Sequence, residues 1–139
     1  MRAVVQRVSS AAVTVSGSQV GAIGPGLLVL LAIAPGDDEA VADRLSEKLR
    51  ALRVFPDDQG RMNEPLGPGR EILCVSQFTL YGDTRKGNRP SYVGAASPEV
   101  AEPLYEYVCD RLGARRGVFG AHMEVSLVND GPVTLLIEL

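Results

Sequence analysis

The sequence predicts an α+β domain: a mostly antiparallel, barrel-like β-sheet with two helices on its outside. Three observations carry this. Four short apolar runs separated by turn residues fill the first 33 positions, the spacing of a strand meander. Two later stretches, 37–52 and 97–113, change to helical period. Strand patterns return at 71–75 and from 121 to 139, so strands and helices are not in strict alternation. At 139 residues and 45% apolar, the chain reads as one domain spanning 1–139.

Residues 3–8 are mostly apolar and read as a strand buried on both faces, with Arg7 inside it. A charge in such a run needs a partner or a role. Ser9-Ser10 breaks the run, and 11–15 form a second strand ending in the turn Ser16-Gly17-Ser18. Residues 19–23 make a short third strand, closed by Gly24-Pro25-Gly26. Residues 27–33, the most hydrophobic run, belong at the sheet centre. A helix follows, with Asp37 as N-cap and Val41, Leu45, Leu49 and Leu52 at helical spacing. Val54-Phe55 is a short strand, and 56–69, rich in Gly and Pro, is loop. Residues 71–75 are a buried strand. Residues 81–96 form one long irregular segment, and long ordered loops in small domains are often functional. Ser97 caps the second helix, Pro98 takes its first position and Gly113 closes it. Val100, Leu104, Val108 and Leu112 make its buried stripe. After a Gly-flanked bend at Phe119, residues 121–128 read as a strand, with His122, Glu124 and Ser126 alternating against Met123, Val125 and Leu127. Asn129-Asp130-Gly131-Pro132 is a turn, and 133–139 are the last strand.

The net charge of −3 argues against a protein that coats nucleic acid by bulk attraction. A local basic patch that grips one end of an RNA stays open. The apolar run 27–34 is too short to span a bilayer, and the opening residues have no signal-peptide character. Cys74 and Cys109 sit in a strand and a helix pattern, so core thiols are expected rather than a disulfide. A cytoplasmic location follows as the expectation. His122 is the only histidine, and no His-Cys-carboxylate set has metal-ligand spacing, so neither metal nor cofactor is expected. Nothing in the sequence places His122 beside a nucleophile.

Two stretches concentrate polar chemistry. Ser76-Gln77-Phe78-Thr79 ends an apolar strand with two hydroxyls and an amide around one ring. Donors at a strand end are held rigidly; the plain alternative is an edge strand with a solvated polar face. Asn129-Asp130-Gly131-Pro132-Val133-Thr134 is the other stretch. A tight turn accounts for Gly131-Pro132, and the sequence leaves the cis or trans state of that bond open.

Five runs together resemble the D-aminoacyl-tRNA deacylase family: Met-Arg-Ala-Val-Val-Gln-Arg-Val at 1–8, Ser-Gln-Phe-Thr-Leu at 76–80, Lys-Gly-Asn-Arg-Pro-Ser at 86–91, Gly-Val-Phe-Gly-Ala-His-Met at 117–123 and Asn-Asp-Gly-Pro-Val-Thr at 129–134. The resemblance implies cleavage of the ester between a D-amino acid, or glycine, and the 3′-terminal adenosine of tRNA. It implies a homodimer with active sites at the subunit interface. Ser76, Gln77, Phe78 and Thr79 would line one wall, and Gly131-Pro132 of the partner subunit, with its bond in cis, the other.

Thr79 as nucleophile needs a base, and none adjoins it in sequence. Attack by water is the preferred expectation, with the amides around Phe78 and Thr79 holding the oxyanion and the substrate's ribose hydroxyl assisting. Phe119, Ala121 and Met123 are candidates for receiving the terminal adenine, with core packing as the alternative for Phe119 and Met123. Arg7 is a candidate brace for the Gly131-Pro132 turn across the dimer. Lys86 and Arg89 are candidates for tRNA phosphates, or simply solvated charges. Two rival functions stay open: a related deacylase of relaxed chirality, and a non-catalytic binder of the tRNA 3′ end.

Overall fold

A computed structural model describes residues 1–139. Its strands are β1 (Arg2–Val15), β2 (Ser18–Ile23), β3 (Gly26–Ala32), β4 (Phe55–Pro56), β5 (Met62–Glu64), β6 (Glu71–Ser76), β7 (Arg115–Arg116) and β8 (Glu124–Glu138). The helices are α1 (Glu39–Ala51) and α2 (Pro98–Leu112), and Phe78–Tyr81 is one 3₁₀ turn. The α+β architecture with a barrel-like sheet and two outer helices is the predicted one. The sheet is mixed: β1 pairs antiparallel with β2, β3 and β8, whereas β3–β6 and β6–β7 are parallel. The helix between β3 and β6 returns the chain to the same end of the sheet, which makes that pairing parallel.

β1 is one continuous strand, not two. One flank pairs with β8; the other pairs first with β3 and then with β2. Ser9 is accommodated as a bulge, because Val8 and Ser10 pair with Asn129 and Val128. The extra residue exchanges the faces of the strand. Before it, Ala3 and Val5 enter the core under the helices; after it, Ala11 and Val13 enter a second, smaller core inside the curled sheet. β3 and β6 serve both cores by alternation: Leu27, Val29, Ile72 and Cys74 face the helices, and Leu28, Leu73 and Val75 face inward. β2 and β7 bring the curl close to closure. A Cβ at Gly21 of β2 would fall 2.4 Å from the Arg116 carbonyl oxygen, so only glycine permits this approach.

Other expectations are corrected in detail. Asp38, not Asp37, caps α1 by accepting from the Val41 amide at 3.0 Å. Asp37 instead accepts from the Ala34 amide and pairs with the Met1 amine. On α2 the buried residues are Ala101, Tyr105, Val108, Cys109 and Leu112, while Val100 is exposed. A strict four-residue spacing drifts by about 40° per step around a helix, so 100, 104, 108 and 112 cannot all face one core. Tyr105 fits that core because its hydroxyl donates to the Cys74 carbonyl at 2.9 Å. Residues 121–123 are not strand, and β8 runs unbroken where a turn between two strands was expected.

Candidate active site

β3 and β6 are parallel, and their carboxyl ends lie side by side, Leu31 opposite Ser76. Open crevices at such ends are where ligands bind in parallel sheets. Here the crevice is a cavity of about 540 Å³, within the range of small-ligand sites. Leu31 to Ile33 and Val75 to Phe78 form its floor, Ala96, Pro98 and Ala101 one side, and Phe119 to Met123 the other.

The Gln77 amide donates to the Leu31 carbonyl at 2.7 Å and carries the parallel ladder one residue past β6. The chain then tightens into the 3₁₀ turn. Leu80 donates to the Gln77 carbonyl at 3.2 Å, and the amides of Phe78 and Thr79, the first two of the turn, have no acceptor within it. Such free donors are usual in the first turn of a helix. Arg2 holds the turn from beneath: it donates to the Leu80 carbonyl at 2.7 Å, and its guanidinium lies 4.7 Å from the Tyr81 ring centre. Thr79 is exposed, and its hydroxyl accepts from the Gln77 side-chain amide. No imidazole or carboxylate bonds to it.

The fold thus joins Ser76, Gln77 and Phe78 with Phe119, Ala121 and Met123 around one cavity. The other candidates lie elsewhere. Thr79 sits on the turn beside the cavity without lining it. Gly131 and Pro132 are exposed on β8 and outside this chain's own cavity. Gln6 pairs with Thr134 and Val8 with Asn129, so four residues of β8, 130–133, stand opposite Arg7 alone. The Gly131–Pro132 bond in this excursion is cis. Arg7 braces it within the same chain, donating to the carbonyls of Asp130 at 2.9 Å and Val54 at 2.5 Å.

Lys86 and Arg89 lie on a small hairpin closed by Asp83 and Ser91, whose backbones exchange bonds of 2.8 and 2.9 Å. Arg85 on the same hairpin is occupied by Asp83. Hydrogen bonds from the Arg85 side chain, then from its amide, lower the Asp83 carboxyl from 3.8 to about 2. That ion pair is intact above about pH 4 and is lost only as the pH falls through about 2. Lys86 and Arg89 have no carboxylate within 4.0 Å and remain exposed.

Two further side chains that carry polar groups, Tyr92 and His122, line the cavity and were not among the candidates. Tyr92 follows the basic hairpin and reaches the cavity rim. Its only trace in sequence was an aromatic in a long loop. His122 also lines the cavity, because residues 121–123 leave the strand that was expected to turn it away.

A curled mixed sheet with an apolar cavity at its parallel strand ends defines a class of small ligand-binding domain. Residues 4–138 match the family model of the D-Tyr-tRNA(Tyr) deacylases. The chain belongs to that family and is an ester hydrolase of its kind. It is 60% identical to the D-aminoacyl-tRNA deacylase of Desulfatibacillum aliphaticivorans, covering 99% of both chains. It is 57% identical to the one of Symbiobacterium thermophilum, covering 99% of this chain and 95% of that one. Among solved structures it superposes on a c-Myc DNA unwinding element binding protein with a TM-score of 0.94 and 42% identity, over 100% and 99% of the two chains. A probable eukaryotic D-amino acid tRNA deacylase shares the fold at a TM-score of 0.82 and 17% identity, over 99% and 98%. No helix is long and apolar enough to cross a membrane.

Proposed function

We propose that this protein hydrolyses the ester joining a D-amino acid, or glycine on the wrong tRNA, to the 3′-terminal adenosine of tRNA. The observation that carries the reading is the meeting of Ser76–Phe78 and Phe119–Met123 around one cavity, in a chain of the deacylase family. The apolar side formed by Phe119, Ala121 and Met123 receives the adenine. The aminoacyl ester lies toward Ser76 and the 3₁₀ turn.

Water is the nucleophile. The amides of Phe78 and Thr79, at the start of the 3₁₀ turn, are the donors for the oxyanion that forms as water adds to the ester carbonyl. One such donor is typically worth about 10²–10³ in rate. The ester is already activated, and the neighbouring ribose hydroxyl of the substrate takes part in guiding the water, so positioning suffices. The Thr79 hydroxyl has no base to activate it, which favours water over a covalent intermediate.

Selectivity needs a wall that admits hydrogen but no side chain on one side of the α-carbon. Gly131 and Pro132 of the partner subunit supply it in a homodimer whose active sites lie at the interface. Three features of this chain support that arrangement. Gly131 and Pro132 are exposed and lie outside their own cavity, Arg7 holds the excursion that bears them, and β8 exposes Leu127, Val128 and Leu136. Exposed apolar side chains on a sheet edge are a pairing surface. A wall of small residues cannot move aside, so L substrates clash, and glycine, with hydrogen on both sides, does not. The side chain of a D residue points outward, and many are accepted. Lys86 and Arg89 meet phosphates of the tRNA, and a cytoplasmic location goes with that substrate.

The test is release of tyrosine from D-Tyr-tRNA and from L-Tyr-tRNA. Fast release of the D ester alone is expected. Equal release of both would favour a deacylase of relaxed chirality, and release of neither would leave only a binder of the tRNA 3′ end.

A further inference from the structure

Tyr92 and Phe78 form an aromatic pair at the mouth of the cavity. Their ring centres are 5.2 Å apart and their planes meet at 73°. Both line the cavity, yet 40% of Tyr92 and 53% of Phe78 stay exposed. Neither ring belongs to either core. The Tyr92 ring is nonetheless held firmly. A Cβ on Gly82 would come within 3.0 Å of Tyr92 Cε1, so the ring lies directly on backbone. Ser91, just before it, is bonded to Asp83 in both directions, and the Tyr92 carbonyl accepts from Ala95 at 3.0 Å. An exposed aromatic with a fixed backbone and a free face is a stacking platform rather than a core residue that failed to bury.

Its place between two other features identifies what stacks there. On one side is the cavity that takes the terminal adenosine. Next to Tyr92 along the chain, on the hairpin that Asp83 and Ser91 close just before it, are the unpaired cations Lys86 and Arg89. An unpaired RNA strand leaving the cavity toward those cations crosses the aromatic rim. Single-stranded nucleic acid is bound by such combinations: a cationic track for phosphates and aromatic faces for bases.

We infer that Tyr92 is a positioning residue that stacks on the nucleobase immediately 5′ of the terminal adenosine. This rests on the deacylase reading above and extends it from the terminal nucleoside to the next nucleotide. Tyr92 thereby makes the enzyme sense a polynucleotide rather than an aminoacyl nucleoside.

The experiment compares kcat/KM for a D-aminoacyl-adenosine, for the same ester one nucleotide longer on its 5′ side, and for the full tRNA. In the wild type the added nucleotide raises kcat/KM by about 5- to 140-fold, the range of one base stacked on an aromatic side chain. Tyr92→Ala removes that gain through KM: the ratio of kcat/KM between the longer ester and the adenosine ester falls to about one, whatever the variant does to the adenosine ester itself. Tyr92→Phe retains the gain, because stacking needs the ring and not the hydroxyl. Equal losses on the short and long esters would mean that Tyr92 only supports the pocket, and would overturn the inference. So would a wild type that gains nothing from the added nucleotide, or Tyr92→Phe behaving like Tyr92→Ala. A wild type that hydrolyses none of the three esters would instead sink the deacylase reading itself.

Discussion

Gly117 offers a test of the cavity that leaves its polar residues untouched. A Cβ there would lie 2.6 Å from Met123 Sδ, 3.7 Å from Val13 Cγ1 and 3.8 Å from Val75 Cγ1. Ordinary contact starts at 3.4 Å, so the two valines accept the methyl, and the sulphur must retreat by 3.4 − 2.6 = 0.8 Å. Met123 lines the cavity, and that is the side with room. The backbone at Gly117 is not in the left-handed region, so alanine is free of strain there. Overpacking costs about 1–3 kcal/mol when neighbours are rigid. A thioether is flexible, and replacing glycine with alanine stabilises by about 0.4–1 kcal/mol through the unfolded chain. Gly117→Ala is therefore expected to change stability by about 1 kcal/mol or less. Activity is the sensitive quantity, because a misplacement near 1 Å can cost about 10² in rate. We expect kcat/KM for D-Tyr-tRNA to fall about 10- to 100-fold, with Tm by calorimetry nearly unchanged. In a Met123→Ala background the same glycine substitution should have no further effect. Wild-type kcat/KM for Gly117→Ala, or a loss that persists without the methionine, would refute the argument.

Four further outcomes are expected. Thr79→Ala should keep activity within about tenfold of wild type, since its hydroxyl is not the nucleophile; a drop to background in a single-turnover assay would restore that role. Arg7→Ala should lose about 1.5–3 kcal/mol in urea unfolding, the usual cost of a hydrogen bond to a charged group. Arg7→Lys should recover only part of it, because a point donor cannot hold Val54 and Asp130 together, and full recovery would argue against the double bond. Removing Lys86 or Arg89 should shallow the slope of log affinity against log salt by about 0.7 each, as for one phosphate of a single strand; an unchanged slope would mark them as solvated charges. Leu136, 61% exposed on β8, should as Arg yield monomers in sedimentation and lose activity, and an intact, active dimer would place the interface elsewhere.

Local chemistry in the sequence decided a good deal. Apolar runs marked every strand that builds the sheet apart from two-residue β7, because burial of contiguous side chains leaves a plain pattern. Pro98 and Gly113 bounded α2, since one lacks an amide hydrogen and the other takes a φ of 61°. The five runs that resemble the deacylase family supplied the activity. Composition and periodicity alone would have ended at an α+β domain with a polar strand end.

Other properties depended on partners that are distant along the chain. The bulge at Ser9 turns one strand toward two cores, and only pairing with β8 shows where the extra residue falls. The excursion at 130–133 looked like a turn because Gly and Pro mark turns; it is instead a detour within one strand, held by an arginine 123 residues earlier. Tyr92 and His122 reached the cavity through chain bends that no periodicity encodes. The strand end at Ser76–Thr79 was legible as chemistry. That it forms one wall of a shared cavity was not, because a cavity is a relation between surfaces, and only the packed fold brings surfaces together.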